Sequence, residues 1–196
     1  RLAQPAAYAH GSGESIGFVG ADIPIEVLLA SGGAFGHLPW HTEKTPWADG
    51  WLESSFPGWA RSILEQWHEG AFDGLRAAVF SRTDDATQRL YYYVRELQQR
   101  GVLDGPLPLV FDMAHVPRPS SLEHTAQAVL ALAAALDVPP HALPAAIVRA
   151  NALRISWQEL QQRRVGQGDR YENLARAALW NNPSAVLADF FVVRES

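Results

Sequence analysis

Three polar segments of this chain carry residue types that could do chemistry. They are Gly20-Ala21-Asp22-Ile23-Pro24, Ser81-Arg82-Thr83-Asp84-Asp85 and Asp112-Met113-Ala114-His115-Val116-Pro117-Arg118. The third is the richest. His115 is a titratable group of the type that does acid–base work, and Arg118, three residues on, is of the type that holds an anion. Asp22, Asp84 and Asp85 fit ligand contacts, but they fit helix caps equally, because Asp favours that position for local reasons. Ser81 reads as a turn residue as readily as a nucleophile: no G-x-S-x-G surrounds it, and spacing assigns it no base. Arg82 adjoins it as a further candidate contact.

Other constellations are weaker. There is no cysteine, which removes disulfides, thiolate nucleophiles, zinc–thiolate sites and cysteine-ligated iron–sulfur clusters. His37 and His41 straddle Pro39, so they share no helix face, and no third ligand is placed nearby; no metal site is expected. Gly11, Gly13 and Gly17 precede an apolar run, whereas a dinucleotide fingerprint follows one. In Tyr91-Tyr92-Tyr93 each residue turns through about 100° on a helix, so only part of the run can be buried. Trp40, Trp47, Trp51 and Trp59 read as the small core of a loop before they read as a stacking platform.

The elements that must position these residues alternate. Ser15 to Val19 is a short apolar run bounded by turn signals, hence a buried strand. Pro24 suits the first position of a helix over 25–31, with Asp22 or Ile23 near its cap and Gly32-Gly33 at its end. A second short strand is expected over 35–40, then a structured loop with a short helix over 42–58. Residues 56–69 repeat apolar positions every three to four and predict a helix. A strand over 75–80 leads into a helix capped by Thr83 or Asp84 and ending at Arg100 before Gly101. A fourth strand spans 106–111. Ser120-Ser121-Leu122-Glu123 has capping-box spacing and opens a helix to about Leu136.

Strands apolar on both faces and separated by helices imply a parallel sheet covered on both sides. The fold expected is therefore α/β, a Rossmann- or flavodoxin-like parallel sheet of about four strands over residues 1–138. A helical extension over 139–196 packs on it. Its first helix spans about 142–164, with Leu143, Ile147, Ala150 and Trp157 on one face; others follow at 170–180, capped by Asp169, and from Asn182-Pro183. In such a sheet ligands bind beyond the carboxyl ends of the strands, where all three polar segments fall. Two of them lead into helix N-termini, which attract anions.

Composition bounds the rest. The 196 residues favour one domain and bury about two-thirds of the unfolded surface. A formal charge of −5 argues against broad nucleic-acid binding. No apolar run approaches the roughly 20 residues of a membrane span, and nothing at the N-terminus reads as a signal peptide. A soluble, cytoplasmic protein is expected. The sequence opens at Arg1-Leu2-Ala3 without an initiating methionine, which leaves room for residues upstream.

In this order the segments resemble the 2-hydroxyacyl-CoA dehydratase and benzoyl-CoA reductase family, D-component subunits. Gly17 to Pro24 leading into Glu26 to Gly33 resembles its "GY-x-C-x-x-VP-x-EL-x-x-AAG-x-x-P" stretch. Ser81 to Asp85 with Arg89-Leu90-Tyr91 resembles "C-D-x-x-R-x-x-Y". Leu109 to Asp112 through Pro117-Arg118 resembles a strand ending in "LDxPR". Residues 139–154, with Leu143, Ile147, Asn151 and Arg154, resemble "L-x-x-AI-x-x-x-N-x-x-R". The likeness covers nearly the whole chain.

Family members are two-domain subunits whose cysteines hold a [4Fe-4S] cluster beside an acyl-CoA thioester. Here Gly20 and Ser81 stand where two of those cysteines would be, so the resemblance implies a relative without cofactor. It also implies only the N-terminal domain, with the second domain missing. Three functions stay open. The first is a cluster-free relative that binds an acyl-CoA-like or other anionic ligand through Gly20, Asp22, Ser81, Arg82, Asp84, Asp85 and Arg118, or that serves as partner to a cysteine-bearing subunit. The second is a metal-free enzyme with His115 as acid–base group and Arg118 or the helix N-terminus near residue 83 holding an anion. The third is an assembly domain pairing through the tyrosine helix or the C-terminal helices.

Overall fold

The computed structural model describes residues 15–41 and 43–164. Strand β1 (Ser15–Val19) is followed by α1 (Ile25–Ala30), β2 (Phe35–His37), α2 (Pro46–Trp51) and α3 (Gly58–His68). Then come β3 (Leu75–Ser81), α4 (Asp85–Gln99), β4 (Leu107–Phe111), α5 (Pro119–Ala135), a 3-10 turn and α6 (Leu143–Arg164). The four strands form one parallel sheet in the order β2-β1-β3-β4. This is an α/β fold of Rossmann or flavodoxin type.

Strand β3 shows why both faces must be covered. Its Ala78 and Phe80 enter one core with Trp67, Phe72, Leu90 and Val94 from the side of α3 and α4. Its Ala77 and Val79 enter the other, with Val27, Leu28, Leu132, Ala146 and Ala150 from α1, α5 and α6. The outermost strand β4 leaves Leu107 and Val110 exposed along the sheet edge.

Several boundaries differ from the sequence reading for local reasons. β2 has three residues: the Leu38 N–H makes a last bond to the Phe18 carbonyl at 2.8 Å, and Pro39 has no N–H to continue the ladder. Pro24 is the N-cap of α1 instead of its first residue, because Asp22 has turned away into the left-handed region (φ 60°) and caps nothing. The Ser120–Glu123 capping box is not used. α5 begins one residue earlier, with Pro119 preorganised at N1 and Arg118 as an N-cap without a side-chain bond.

The loop over 42–58 does contain a short helix, α2, held in an unexpected way. The Trp47 and Ala48 N–H groups in its first turn donate to the Glu65 carboxylate of α3 at 3.3 and 2.7 Å. Glu65 is buried, so the bonds satisfy its charge as well as the helix end.

On α6 the buried stripe is Ala146 and Ala150, with Leu143 and Leu153 packed against it. Ile147, expected inside, is 46% exposed. Small alanines let α6 lie close against α1 where a branched side chain would hold it off. Arg154 then pairs with Glu26 of α1. The helices expected at 170–180 and from 182 lie outside the described residues. Among the described residues no single helix is long and apolar enough to cross a membrane.

Candidate functional site

The chain leaves β1 for β2 on one side and returns to β3 on the other. That reversal makes the carboxyl ends of β1 and β3 a topological switch point, the place where open α/β sheets bind ligands. Gly20, directly after β1, has φ +90°, and Ser81 ends β3. The two face one another. A Cβ on Gly20 would fall 2.9 Å from the Ser81 Cβ and 3.3 Å from the Thr87 Cγ2. Gly20 therefore lets two strand ends approach and leaves no room for a side chain.

Polar contacts then tie the three strand ends together. The Thr83 hydroxyl donates to the Asp22 carboxylate at 3.1 Å. The Ser81 hydroxyl contacts that of Thr83 and accepts the Thr83 N–H at 3.1 Å. His115 Nε2 lies 3.3 Å from Asp22 Oδ2, linking the loop after β4 back to β1. Between β3 and β4, the Arg82 N–H donates to the Phe111 carbonyl at 2.9 Å, and its guanidinium donates to Asp112 at 2.8 Å. His124 of α5 lies 3.4 Å from the same Asp112 carboxylate. The loop itself is pinned by the Ala114 N–H on the Thr125 hydroxyl at 3.2 Å.

Not every candidate joins this network. Asp84 caps α4: its oxygens accept from the Thr87 N–H at 2.8 Å and the Thr87 hydroxyl at 2.7 Å. Asp85 sits on the first turn and reaches Arg89 at 3.4 Å, while Arg89 is also held by Glu53 at 2.6 Å. The N-terminus of α4 is thus filled by its own carboxylates, a poor place for an anion. Arg118 lies at the start of α5, where the first turn has no acidic residue and no side-chain cap.

Thr83 and Asp112, read from the sequence only as parts of the polar segments and, for Thr83, as a helix cap, belong to the network, as do His124 and Thr125, which the sequence did not single out. The signal available was the Ser-x-Thr spacing at a strand end, which favours a side-chain turn. For His124 it was the placement one turn into a helix that follows the strand-end loop.

Elsewhere, His37 donates from Nδ1 to the Leu38 carbonyl at 2.8 Å. Burial holds its pKa below the ordinary 6.5, the backbone bond opposing in part. Among the described residues no group of three or more His, Asp or Glu could hold a metal ion. Tyr91 is buried, Tyr92 is 48% exposed, and the Tyr93 hydroxyl donates to Glu53 at 3.2 Å. Trp47 and Trp59 pack on the core, whereas Trp40 and Trp51 are exposed. Two surface hollows, one beside Tyr92 and one beside Trp40 in the segment after β2, are lined by none of the residues of this network.

The cluster that the family resemblance brings with it does not fit these residues. Gly20 has neither a ligating group nor space for one, and the Ser81 hydroxyl is engaged with Thr83. What the site offers instead is an imidazole beside a carboxylate, an arrangement that orients the ring. No protein-family profile matches the chain, and no curated protein sequence does.

Proposed function

We propose that this chain is a cluster-free relative of the 2-hydroxyacyl-CoA dehydratase subunits that binds an acyl-CoA-like anion along the carboxyl edge of its sheet. The observation that carries the reading is the close approach of Gly20 and Ser81. It brings two motif segments, some sixty residues apart in sequence, together at the point where the strand order reverses. The choice of an anion is supported by Arg118 at the uncapped start of α5. A cysteine-bearing subunit is the partner that such a domain would need for any metal-dependent step.

Thermal denaturation of the purified chain with a panel of CoA esters tests this. A ligand bound only by the native state raises the melting temperature with concentration. The expected result is a rise that Arg118→Ala removes and Ser120→Ala does not. A flat response across the panel overturns it.

A second reading is favoured by the 3.3 Å approach of His115 to Asp22. In it His115 moves a proton on the bound ligand, oriented by Asp22, without a metal. Its expected signature is deuterium exchange from solvent into a bound ester, lost in His115→Ala while the thermal shift persists. Exchange that is unchanged in His115→Ala would remove this role.

A further inference from the structure

The segment after β2 builds a second hollow, of about 420 Å³, lined by Trp40, His41, Glu43, Thr45, Gly58 and Trp59. Its size is that of a small-molecule pocket, and such pockets combine aromatic walls with a few polar groups. From it we propose that this hollow binds a small aromatic ammonium ion, with Trp40 and Trp59 as the aromatic walls and Glu43 as the counter-charge.

The walls are held in place by the backbone. The His41 N–H donates to the Ser62 hydroxyl at 2.9 Å, and Gln66 donates to the Pro39 carbonyl at 2.9 Å. Trp40, between these two bonds, is fixed on α3 yet remains 44% exposed. A half-exposed indole on an anchored segment offers an apolar face with a polar N–H to a ligand. Trp59, on the first turn of α3, is partly buried against the core. Both indoles line the hollow. Gly58 adds no wall: a Cβ there would meet nothing within 4 Å.

The charge selects the ligand. Glu43 is the one formally charged side chain among the described lining residues. His41 turns its Nδ1 to the Glu43 N–H at 3.3 Å, which fixes the ring as acceptor on that side. Indole faces attract cations through their quadrupole, and a carboxylate adds to that attraction. An aromatic anion meets Glu43 with the wrong sign.

Calorimetric titration of the full chain with three probes of one ring system tests this: tryptamine, indole and indole-3-acetate. Tryptamine is expected to bind at least about threefold more tightly than indole, with indole-3-acetate weakest. Glu43→Gln is expected to abolish the preference for tryptamine over indole. Trp40→Ala, at a half-exposed position, is expected to weaken tryptamine about tenfold or more; Trp59→Phe, which keeps a ring, is expected to weaken it less. No binding of tryptamine in the millimolar range overturns the proposal. So does equal or tighter binding of indole-3-acetate, or a Trp40→Ala variant that melts normally and binds tryptamine unchanged.

Discussion

Gly20 shows how one backbone position shapes the candidate site. Its φ of +90° and the 2.9 Å approach to the Ser81 Cβ mean that any side chain there meets both torsional strain and overlap. Gly20→Ala is expected to destabilise the fold by about 1–3 kcal/mol, read as a lower urea midpoint at unchanged slope. The neighbouring Asp22 is a different case: a non-glycine residue at φ 60°, retained where its carboxylate joins Thr83 and His115. Strain of that kind collects at functional sites, and here it falls at the sheet's switch point.

Among the elements, α4 allows the clearest test of a role read two ways. Asp84 and Asp85 are adjacent acids, but only Asp84 has its oxygens on Thr87. Asp84→Ala is expected to cost about 1 kcal/mol of stability. Asp85→Ala, which loses an exposed pair with Arg89, is expected to change it by less than about 0.5 kcal/mol. Thermal melts of the two variants side by side distinguish them. Much of this level was legible in the sequence. The strands announced themselves because Ala77 to Phe80 are apolar on both faces, and α4 because its apolar period and its cap agree. Contacts between distant residues were not legible. No local pattern says that Glu65 will serve α2, or that Asp22 will turn to Thr83, because each bond joins segments that only the folded sheet brings together. The phase of α6 was missed by one position at Ile147, since periodicity gives the stripe but not which small residues set the closest approach.

For the whole molecule, pH enters through His37. Its native pKa lies below the 6.5 of the unfolded chain, chiefly because burial disfavours the charged ring. Between those two values the unfolded state binds more protons, so stability rises with pH there. His37 therefore contributes its full share above about pH 7 and loses it as pH falls through 6.5 towards the lower native value. Urea unfolding from pH 7.5 to 5.5 should show a smaller loss for His37→Gln than for the parent chain. Equal slopes would place the acid sensitivity elsewhere.

The carboxylate that Glu65 lends to α2 also bears on the order of assembly. A six-residue helix cannot persist alone, since nucleation costs more than so few bonds return. Its first turn has its donors held by a side chain seventeen and eighteen residues downstream, so α2 must wait for α3 to arrive. In refolding kinetics, residues of α2 should gain their native contacts no earlier than those of α3, giving them the lower φ-values of the pair.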